Sequence, residues 1–566
     1  MSTLIDIKGL NVAFPGHHAV RGLDLQLAAG ETLALVGESG CGKSTTALAI
    51  MGLLPGSARV SGSIDVDGRN LLALPERELC QVRGKHISMI FQEPMTALDP
   101  VHTVGAQVAE SLRQHDGLSA KAARARAIEL LDLVRLPEPQ RAIDEYPHRF
   151  SGGQRQRIMI AAAIACHPRL LVADEPTTAL DVTIQAQILE LLDTLRRELS
   201  MGLLLITHDL GVVAQWADRV AVMYAGKKLE EAPAARFFDA PTHAYSRGLL
   251  GASLDIGSGL HYRRDRLPEI RAITDASSGH TQFTLQGGSR ANAPTSLLSP
   301  PTAPLLSLID VHTHYRSNTR QVHAVQGVSL SLARGETLGL VGESGCGKST
   351  LSRTIMRLVD TSSGKLVFDG EDITHAGTRQ LRPYRRRVQM IFQDPYSSLN
   401  PRQTVGQILD NALVIHGVDS RRARMERVTR IIDAVGLPTR SVERHPHAFS
   451  GGQRQRIAIA RALILQPELV ICDEPVSALD VSIQAQILNL LADLKAEFSL
   501  SYLFISHDLA VVQYIADRVM VMQAGKIVET GDHTSIWTTP THPYTRSLID
   551  AIPHGSRAQR ENARAA

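Results

Sequence analysis

Gly37-Glu-Ser-Gly-Cys-Gly-Lys-Ser44 and its second copy, Gly342-Glu-Ser-Gly-Cys-Gly-Lys-Ser349, decide the fold of this 566-residue chain. Each stretch follows an apolar, strand-like run and opens a helical pattern, which is the setting of a phosphate-binding loop, or P-loop. The glycines let backbone N–H groups surround a phosphate, and the start of the following helix adds its positive dipole end. We expect the lysine of each copy to reach the β and γ phosphates and the serine to hold Mg2+.

The predicted nucleotide-binding residues of the loops are the quoted positions and the threonine after each copy. In the first loop they are Gly37, Glu38, Ser39, Gly40, Cys41, Gly42, Lys43, Ser44 and Thr45. In the second loop they are Gly342, Glu343, Ser344, Gly345, Cys346, Gly347, Lys348, Ser349 and Thr350.

The repetition extends far beyond the loops. Phe-Ser-Gly-Gly-Gln-Arg-Gln-Arg-Ile occurs at 150–158 and again at 449–457. A period of roughly 300 residues is far too long for a solenoid, so the chain is a duplicated domain. Between the copies, residues 255–305 are rich in Gly, Ser, Thr and Pro, which is typical of a linker. The sequence therefore predicts domains at 1–254 and 306–550, a linker at 255–305 and a tail at 551–566.

Within each half, short apolar runs alternate with long helical patterns, which predicts an α/β fold with a mainly parallel sheet. A second pattern interrupts this core, because Ala127, Leu130, Leu131 and Val134 follow the i, i+3, i+4, i+7 spacing of a helix. The second half repeats the spacing. Each core is thus expected to carry an inserted helical subdomain.

Composition excludes several classes of protein. The formal net charge is +3 without long basic runs, so a nucleic-acid partner is not expected. The five cysteines lack the spacing of a disulfide framework or a zinc site. No N-terminal targeting pattern is visible, and the longest apolar run, 158–166, is too short to span a bilayer. We expect a cytoplasmic chain whose membrane role, if any, comes through partner subunits.

Two carboxylates follow an apolar run in each half: Asp174 and Glu175 in the first, Asp473 and Glu474 in the second. The carboxyl ends of parallel strands are where open α/β sheets bind ligands. We expect each Asp to contribute to the Mg2+ site and each Glu to act as general base on water.

His208 and His507 also follow apolar runs, and their position relative to the other motifs indicates a γ-phosphate contact and a catalytic role. A further motif, Ser151, Gly152, Gly153 and Gln154, recurs as Ser450, Gly451, Gly452 and Gln453. It precedes a helical run, so it predicts a second anion site at a helix start. One nucleotide does not need two such sites, so each is expected to face the nucleotide of the other copy in a head-to-tail pair. Arg155, Arg157, Arg454 and Arg456 are predicted to be ordinary surface charges.

These motifs together resemble those of the ATP-binding cassette (ABC) superfamily, and the resemblance covers nearly the whole chain. It implies two P-loop NTPase cassettes with ATP and Mg2+ as cofactors. By the same resemblance, Gln92 and Gln393 match the Q-loop that contacts nucleotide and metal. Phe14 and Tyr315 are the candidates for an aromatic residue under the adenine, although a four-residue gap is needed to align them.

Finer features resemble the di- and oligopeptide, nickel and glutathione importers. They include Pro540-Thr-His-Pro-Tyr-Thr-Arg546 and the related Pro241-Thr-His-Ala-Tyr245. The resemblance implies an ATPase subunit at the cytoplasmic face of the membrane, with two permease partners and, through them, an external binding protein. Unlike many relatives, the chain has no cysteine at 240–305 or 540–566, which excludes an iron–sulfur cluster there. The alternative is a soluble tandem-cassette ATPase that acts on ribosomes.

Overall fold

The computed structural model describes residues 3–178, 180–274, 281–290, 303–316, 321–418, 420–477 and 479–552. The chain forms two compact units. The first unit consists of residues 1–250 and 552–566, and the second of residues 251–551. Each unit contains one copy of the duplicated motifs.

The first unit contains a four-stranded and a six-stranded sheet. Its strands are β1 Thr3–Phe14, β2 His17–Ala28, β3 Thr32–Gly37, β4 Arg59–Val66, β5 Arg69–Asn70, β6 Ile87–Ile90, β7 Leu170–Asp174, β8 Gly202–Ile206, β9 Arg219–Tyr224 and β10 Lys227–Pro233. Its helices are α1 Lys43–Ile50, α2 Glu76–Val82, α3 Pro94–Ala97, α4 Val104–His115, α5 Ala120–Leu133, α6 Pro139–Ala142, α7 Gly152–Ile164, α8 Val182–Glu198, α9 Leu210–Trp216, α10 Ala234–Asp239 and α11 Ala244–Ala252, the last of which runs across the boundary between the units.

The larger sheet has the order β10-β9-β3-β8-β7-β6 and is parallel except for the β10 edge. Its central strands β3, β7 and β8 are buried along their whole length. This burial on both faces explains the continuous apolar runs of the sequence. The smaller sheet, β2-β1-β4-β5, is antiparallel. The mainly parallel core predicted from the sequence is confirmed.

The second unit repeats this architecture after a two-stranded hairpin. Its strands are β11 Asp265–Thr274, β12 Thr281–Ser289, β13 Leu306–Arg316, β14 Gln321–Leu332, β15 Thr337–Val341, β16 Ser363–Phe368, β17 Glu371–Asp372, β18 Val388–Ile391, β19 Leu469–Asp473, β20 Ser501–Ile505, β21 Arg518–Gln523 and β22 Lys526–Asp532. Its helices are α12 Lys348–Ile355, α13 Leu381–Arg387, α14 Pro395–Ser398, α15 Val405–Ile415, α16 Arg421–Ala434, α17 Gly451–Leu463, α18 Val481–Phe498, α19 Leu509–Ile515, α20 Ser535–Thr538 and α21 Pro543–Asp550.

The large sheet of the second unit, β18-β19-β20-β15-β21-β22, matches that of the first. In both units the inserted helices follow the edge strand, β6 or β18, along the chain and precede the neighbouring strand, β7 or β19. In the first unit, Ala127, Leu130, Leu131 and Val134 are all buried in the core that α4, α5 and α7 share. The helical subdomain predicted from their spacing is therefore confirmed.

The β11–β12 hairpin lies inside the range for which the sequence predicts a linker. Its first strand packs on α18 of the second unit. The side chain of Asn489 bonds both backbone groups of Leu267: Leu267 N donates to its Oδ1 over 3.0 Å, and its Nδ2 donates to Leu267 O over 2.9 Å. Both residues are almost fully buried. Part of the range 255–305 is thus built into the second unit, while the domain boundaries themselves stay a prediction.

A buried polar group holds the segment that leads into this hairpin. Lys495 Nζ donates to Tyr262 Oη over 2.5 Å and to Thr337 Oγ1 over 2.6 Å. Asp517 accepts bonds from Tyr262 and Arg263 and lies 3.3 Å from Lys495 Nζ. Burial lowers the pKa of Lys495 to about 8, although the carboxylate of Asp517 opposes this effect. The charges are paired, as buried charges must be.

Within the described residues, no helix is both long and apolar enough to cross a membrane.

Candidate functional site

The first P-loop connects the central strand β3 to helix α1. Lys43 is buried, and its ammonium group donates to Gly37 O over 2.6 Å and to Glu38 O over 3.0 Å, inside the curve of the loop. Gly42 has a φ of 105° at the start of α1, and a Cβ there would collide with Ala19 O. A residue with a side chain would therefore push the loop away from its neighbours, which is the physical reason for the glycine.

Ser44, the next residue of α1, meets the carboxylate at the end of β7. Its Oγ lies 3.1 Å from Asp174 Oδ1, although 130 positions separate the two residues. Burial raises the pKa of Asp174, and the hydrogen bond from Ser44 opposes that rise only in part. A buried carboxylate of this kind is stabilised by a cation.

Glu175 turns out of the strand that carries Asp174. Its φ is 48°, in the left-handed region that residues other than glycine rarely adopt, and its N–H donates to Ile206 O over 2.9 Å. This backbone turn lets two adjacent carboxylates serve the same site, whereas a continuing strand would direct them to opposite faces. The strained conformation recurs at Glu474, where φ is 49°. The same backbone turn is thus present at the end of the matching strand in both units.

Three polar side chains contact the carboxylate of Glu175. Gln92 Nε2 donates over 2.9 Å, Thr178 Oγ1 donates over 2.8 Å, and His208 Nδ1 lies 3.3 Å away. Burial raises the pKa of Glu175, but the bonds from His208 and Thr178 and the charges of His208 and Lys43 outweigh burial and lower the pKa to about 2. The carboxylate is therefore ionised at neutral pH, as a base must be.

The second unit reproduces this arrangement. Lys348 Nζ donates to Gly342 O over 2.6 Å and to Glu343 O over 2.9 Å. Ser349 Oγ lies 3.3 Å from Asp473 Oδ1, and burial again raises the pKa of that Asp.

The glutamate and histidine of the second unit have the same arrangement as those of the first. Gln393 Nε2 donates to Glu474 Oε2 over 2.8 Å, and His507 Nδ1 lies 3.2 Å from the same oxygen. Burial lowers the pKa of His507, but the hydrogen bond and charge of Glu474 outweigh burial and raise it. Each unit thus brings together the predicted Lys, Ser, Asp, Glu, Gln and His.

The Ser-Gly-Gly-Gln motifs occupy the starts of α7 and α17. Ser151 and Ser450 are the N-caps, and each forms a capping box with the Gln three residues later. In the described part of the chain, the hydrogen bonds of Ser151 and Gln154 stay within this box and do not join the group around Lys43. Their predicted role as anion sites for the other nucleotide stays a prediction.

The two adenine candidates occupy matching positions in their small sheets. Phe14 ends β1 opposite His17, and Tyr315 lies near the end of β13 opposite Val322. Two residues separate the first pair in the chain and six separate the second, so the four extra residues that the alignment needs fall between Tyr315 and Val322. Tyr315 is 38% exposed and Phe14 is half-buried. Adenine stacking on either ring stays a prediction.

The arginines that follow the Ser-Gly-Gly-Gln motifs are not ordinary surface charges, so that prediction is wrong. Arg157 is buried and donates to Val134 O over 2.7 Å and to Gln187 Oε1 over 2.9 Å. The other three are half-buried and donate to backbone carbonyl groups. Period-3.6 spacing places these side chains on helices but does not tell which face is covered.

Arg461 is a residue of the second site that the sequence does not single out. Its guanidinium carbon lies 5.6 Å from the ring centroid of Phe392, next to Gln393, and its Nη1 donates to Ser398 O. Arg454 likewise lies 4.0 Å from the ring centroid of Tyr396. Both arginines tie the Q-loop segment to α17. The first unit has Ala162 and Met95 at the positions that match Arg461 and Tyr396.

The residues near each P-loop fit Mg2+. The ion prefers hard oxygen ligands and is usually held by one or two carboxylates together with substrate phosphates. The hydroxyl of Ser44 and the carboxylate of Asp174 supply such oxygens, as do Ser349 and Asp473. Gln92 and Gln393, the other predicted metal-site residues, direct their amides to the neighbouring Glu.

Comparison with known families gives two matches. The ABC transporter family matches residues 20–178 and 325–477, and the oligopeptide/dipeptide transporter C-terminal region matches residues 229–283 and 528–565. The first match contains every predicted P-loop and carboxylate residue. The second includes part of the predicted linker.

Several relatives resemble the chain over nearly its whole length. The glutathione import ATP-binding protein GsiA of Salmonella paratyphi A is 50% identical over 97% of the chain and 89% of that relative. GsiA of Escherichia coli K12 is 48% identical over the same shares. GsiA of Pectobacterium atrosepticum is 47% identical over 99% of the chain and 91% of the relative.

Among solved structures, a dimeric ATP-binding cassette bound to ADP and Pi is 27% identical, with a TM-score of 0.38, over 40% of the chain and 98% of that structure. The family matches cover both units, and the relatives exceed 45% identity almost from end to end. The chain therefore belongs to the ABC transporter family, as an ATP-hydrolysing importer subunit with two cassettes in one polypeptide.

Proposed function

We propose that the chain powers the import of glutathione or another short peptide across the cell membrane. The observation that carries this proposal is that both cassettes keep the complete Lys, Ser, Asp, Glu, Gln and His set in bonding geometry. The solute class is supported by the relatives, which are named for glutathione import, and by the oligopeptide/dipeptide family match.

The chemistry proposed for each site is ATP hydrolysis by an activated water. Glu175 and Glu474 accept the proton of the attacking water, because both are ionised and held by a neighbouring His and Gln. Lys43 and Lys348 bind the phosphates, and the backbone N–H groups of each loop surround them. His208 and His507 contact the γ-phosphate. Mg2+, held through the Ser and Asp of each site, supplies positive charge to the phosphate oxygens.

The proposed partners are two transmembrane permeases and, through them, an external solute-binding protein. The chain would then work at the cytoplasmic face of the membrane as a peripheral subunit. The relatives' names favour this arrangement over a ribosome-bound ATPase, since they refer to import. Head-to-tail pairing of the two cassettes belongs to the same proposal and rests on the sequence motifs.

The partner proposal is tested by isolating the chain from native membranes. The tagged chain is purified after mild solubilisation, and its stoichiometric partners are identified by mass spectrometry. Two related multi-spanning permeases support the importer. Ribosomal proteins without a membrane partner overturn it in favour of the ribosome-bound ATPase.

The solute proposal needs a separate measurement. Uptake of labelled glutathione and of labelled dipeptides is compared in cells with the wild-type chain and with the Glu175→Gln/Glu474→Gln variant. Uptake that depends on the wild-type chain identifies the solute. If neither label depends on it, the glutathione and short-peptide assignment is wrong.

A further inference from the structure

A basic groove lies on the second unit, along helix α13. It has a volume of about 540 Å3 and is lined by Arg379, Arg382, Pro383, Arg386, Arg387 and His416. Leu381 and Tyr384 turn the opposite side of α13 into the core, where Tyr384 Oη donates to Ile355 O over 2.5 Å. The arginines are therefore held at the surface by a rigidly packed helix. We call this feature the α13 groove.

Among the described residues, only one of the four groove arginines forms ion pairs with carboxylates. Arg387 is paired with Asp369 and Glu468. In the part of the chain that the structure describes, no carboxylate forms an ion pair with Arg379, Arg382 or Arg386. Arg382 instead donates to Ile415 O over 2.7 Å, which fixes its guanidinium at the edge of the groove.

His416 reports the same excess of charge. It is the C-cap residue of α15 and lines the groove together with Arg382 and Arg386. Its pKa is lowered, first by burial and then by the charges of these two arginines. An anion in the groove would offset that repulsion.

The first unit lacks this feature at the matching place. Helix α2 precedes β6 as α13 precedes β18, and it carries two glutamates and one arginine where α13 carries four arginines. Lys85 is already paired there, because its Nζ lies 3.7 Å from Asp116 Oδ1 and donates to His115 O over 3.1 Å. The α13 groove is thus a property of the second cassette and not of the shared fold.

Apolar side chains border the α13 groove. Val414 and Ile415, the last residues of α15, are 50% and 65% exposed, and Ile415 supplies the carbonyl group that Arg382 holds. Arginines beside exposed aliphatic side chains fit the boundary between phosphate groups and acyl chains. Planar guanidinium groups also form paired hydrogen bonds with phosphate oxygens.

We propose that the α13 groove binds a phosphate-bearing anion, either the headgroup of an anionic phospholipid or a soluble phosphate compound, through Arg379, Arg382 and Arg386. The site is separate from the two nucleotide sites and does not depend on the transported solute.

The test compares two variants of the full chain that lose the same charge. Arg382→Gln/Arg386→Gln empties the groove, whereas Arg421→Gln/Arg440→Gln removes two exposed arginines elsewhere on the second unit. ADP is added to occupy the nucleotide sites. Flotation measures binding to phosphatidylcholine vesicles with and without phosphatidylglycerol, and equilibrium dialysis measures binding of inorganic phosphate. Retained ATP hydrolysis shows that each variant is folded.

We expect the groove variant to bind phosphatidylglycerol vesicles roughly tenfold more weakly than the wild type or the control. If the groove variant loses only the binding of inorganic phosphate, the result also supports the site and identifies a soluble ligand. If both variants bind alike in both assays, the proposal is wrong. Should the double variant fail to fold, Arg379→Gln, in the exposed turn before α13, gives the same comparison.

Discussion

In the second cassette, His507 Nδ1 lies 3.2 Å from Glu474 Oε2, and the matching pair in the first cassette, His208 and Glu175, lies 3.3 Å apart. The four residues come from corresponding strand ends, so neither cassette shows a decayed catalytic group.

Both sites are expected to hydrolyse ATP. In single-turnover experiments, Glu175→Gln and Glu474→Gln should each slow one site by about 10² to 10⁴-fold, because each removes one general base. Each single variant should therefore keep a fast phase of half the wild-type amplitude. Glu198→Gln, on the exposed end of α8, serves as the control. If either substitution left the time course untouched, two working sites would be excluded.

The Glu474–His507 pair should make the second site sensitive to pH. Glu474 raises the pKa of His507, so the pair is complete below the ordinary His pKa of about 6.5 and is lost as pH rises through the higher folded value. At the acid end, the lowered pKa of Glu474 keeps the pair intact until pH falls below the usual pKa of a Glu.

Histidine-selective carbon-13 NMR measures this titration directly, and His507→Gln identifies the resonance. We expect a pKa above 6.5 in the wild type and a lower pKa in Glu474→Gln, where the hydrogen bond and charge of Glu474 no longer oppose burial and only the charge of Asp508 does. An unchanged titration in that variant would show that Glu474 does not control His507.

Arg461 is expected to position the Q-loop of the second cassette. Arg461→Ala removes its contacts with Phe392 and Ser398 and so frees the segment that carries Gln393. With the first site silenced by Glu175→Gln, the remaining turnover should fall roughly tenfold, because small displacements of a catalytic group are costly. Ala162→Ser at the matching place, in the Glu474→Gln background, should change the rate little. Equal effects of the two substitutions would contradict the positioning role.

The segment that leads into the hairpin is expected to stabilise the second cassette through Asp517. Asp517→Asn should lower the free energy of unfolding by about 3 to 5 kcal/mol, since it leaves the buried Lys495 and the half-buried Arg263 beside a neutral partner. Asp493→Asn is the matched control, because Asp493 also holds hairpin arginines but is 42% exposed, and its loss should cost at most about 1 kcal/mol. Thermal unfolding measures both variants. If the two variants lost similar amounts of stability, burial of the Asp517 group would not explain its contribution.

The catalytic groups were predictable because each belongs to a short motif. A P-loop works through successive backbone N–H groups, so its function depends on local spacing that the sequence displays. The same is true of the helical subdomain, whose buried face follows a 3.6-residue period at Ala127 to Val134. Duplication strengthened every such inference, since each motif could be compared with its copy.

The packing of the hairpin depends on contacts that its local sequence does not display. Its Gly, Ser and Thr content predicts a linker, yet Asn489 of α18, more than 200 positions away, bonds the backbone of Leu267. Arg157 is likewise held by residues far from it in the chain, because it donates to Val134 O and Gln187 Oε1, and its neighbours along the chain do not indicate these contacts.

The sequence by itself determined the chemistry of this protein: two P-loops, two Asp-Glu pairs, their Gln and His companions, and the duplicated parallel α/β core that carries them. Only the tertiary structure decided which distant groups meet, such as Ser44 with Asp174, Arg461 with the Q-loop, and the uncompensated arginines of the α13 groove. The physical reason is that motif chemistry resides in local backbone geometry, whereas burial and charge pairing depend on contacts between residues far apart in the chain.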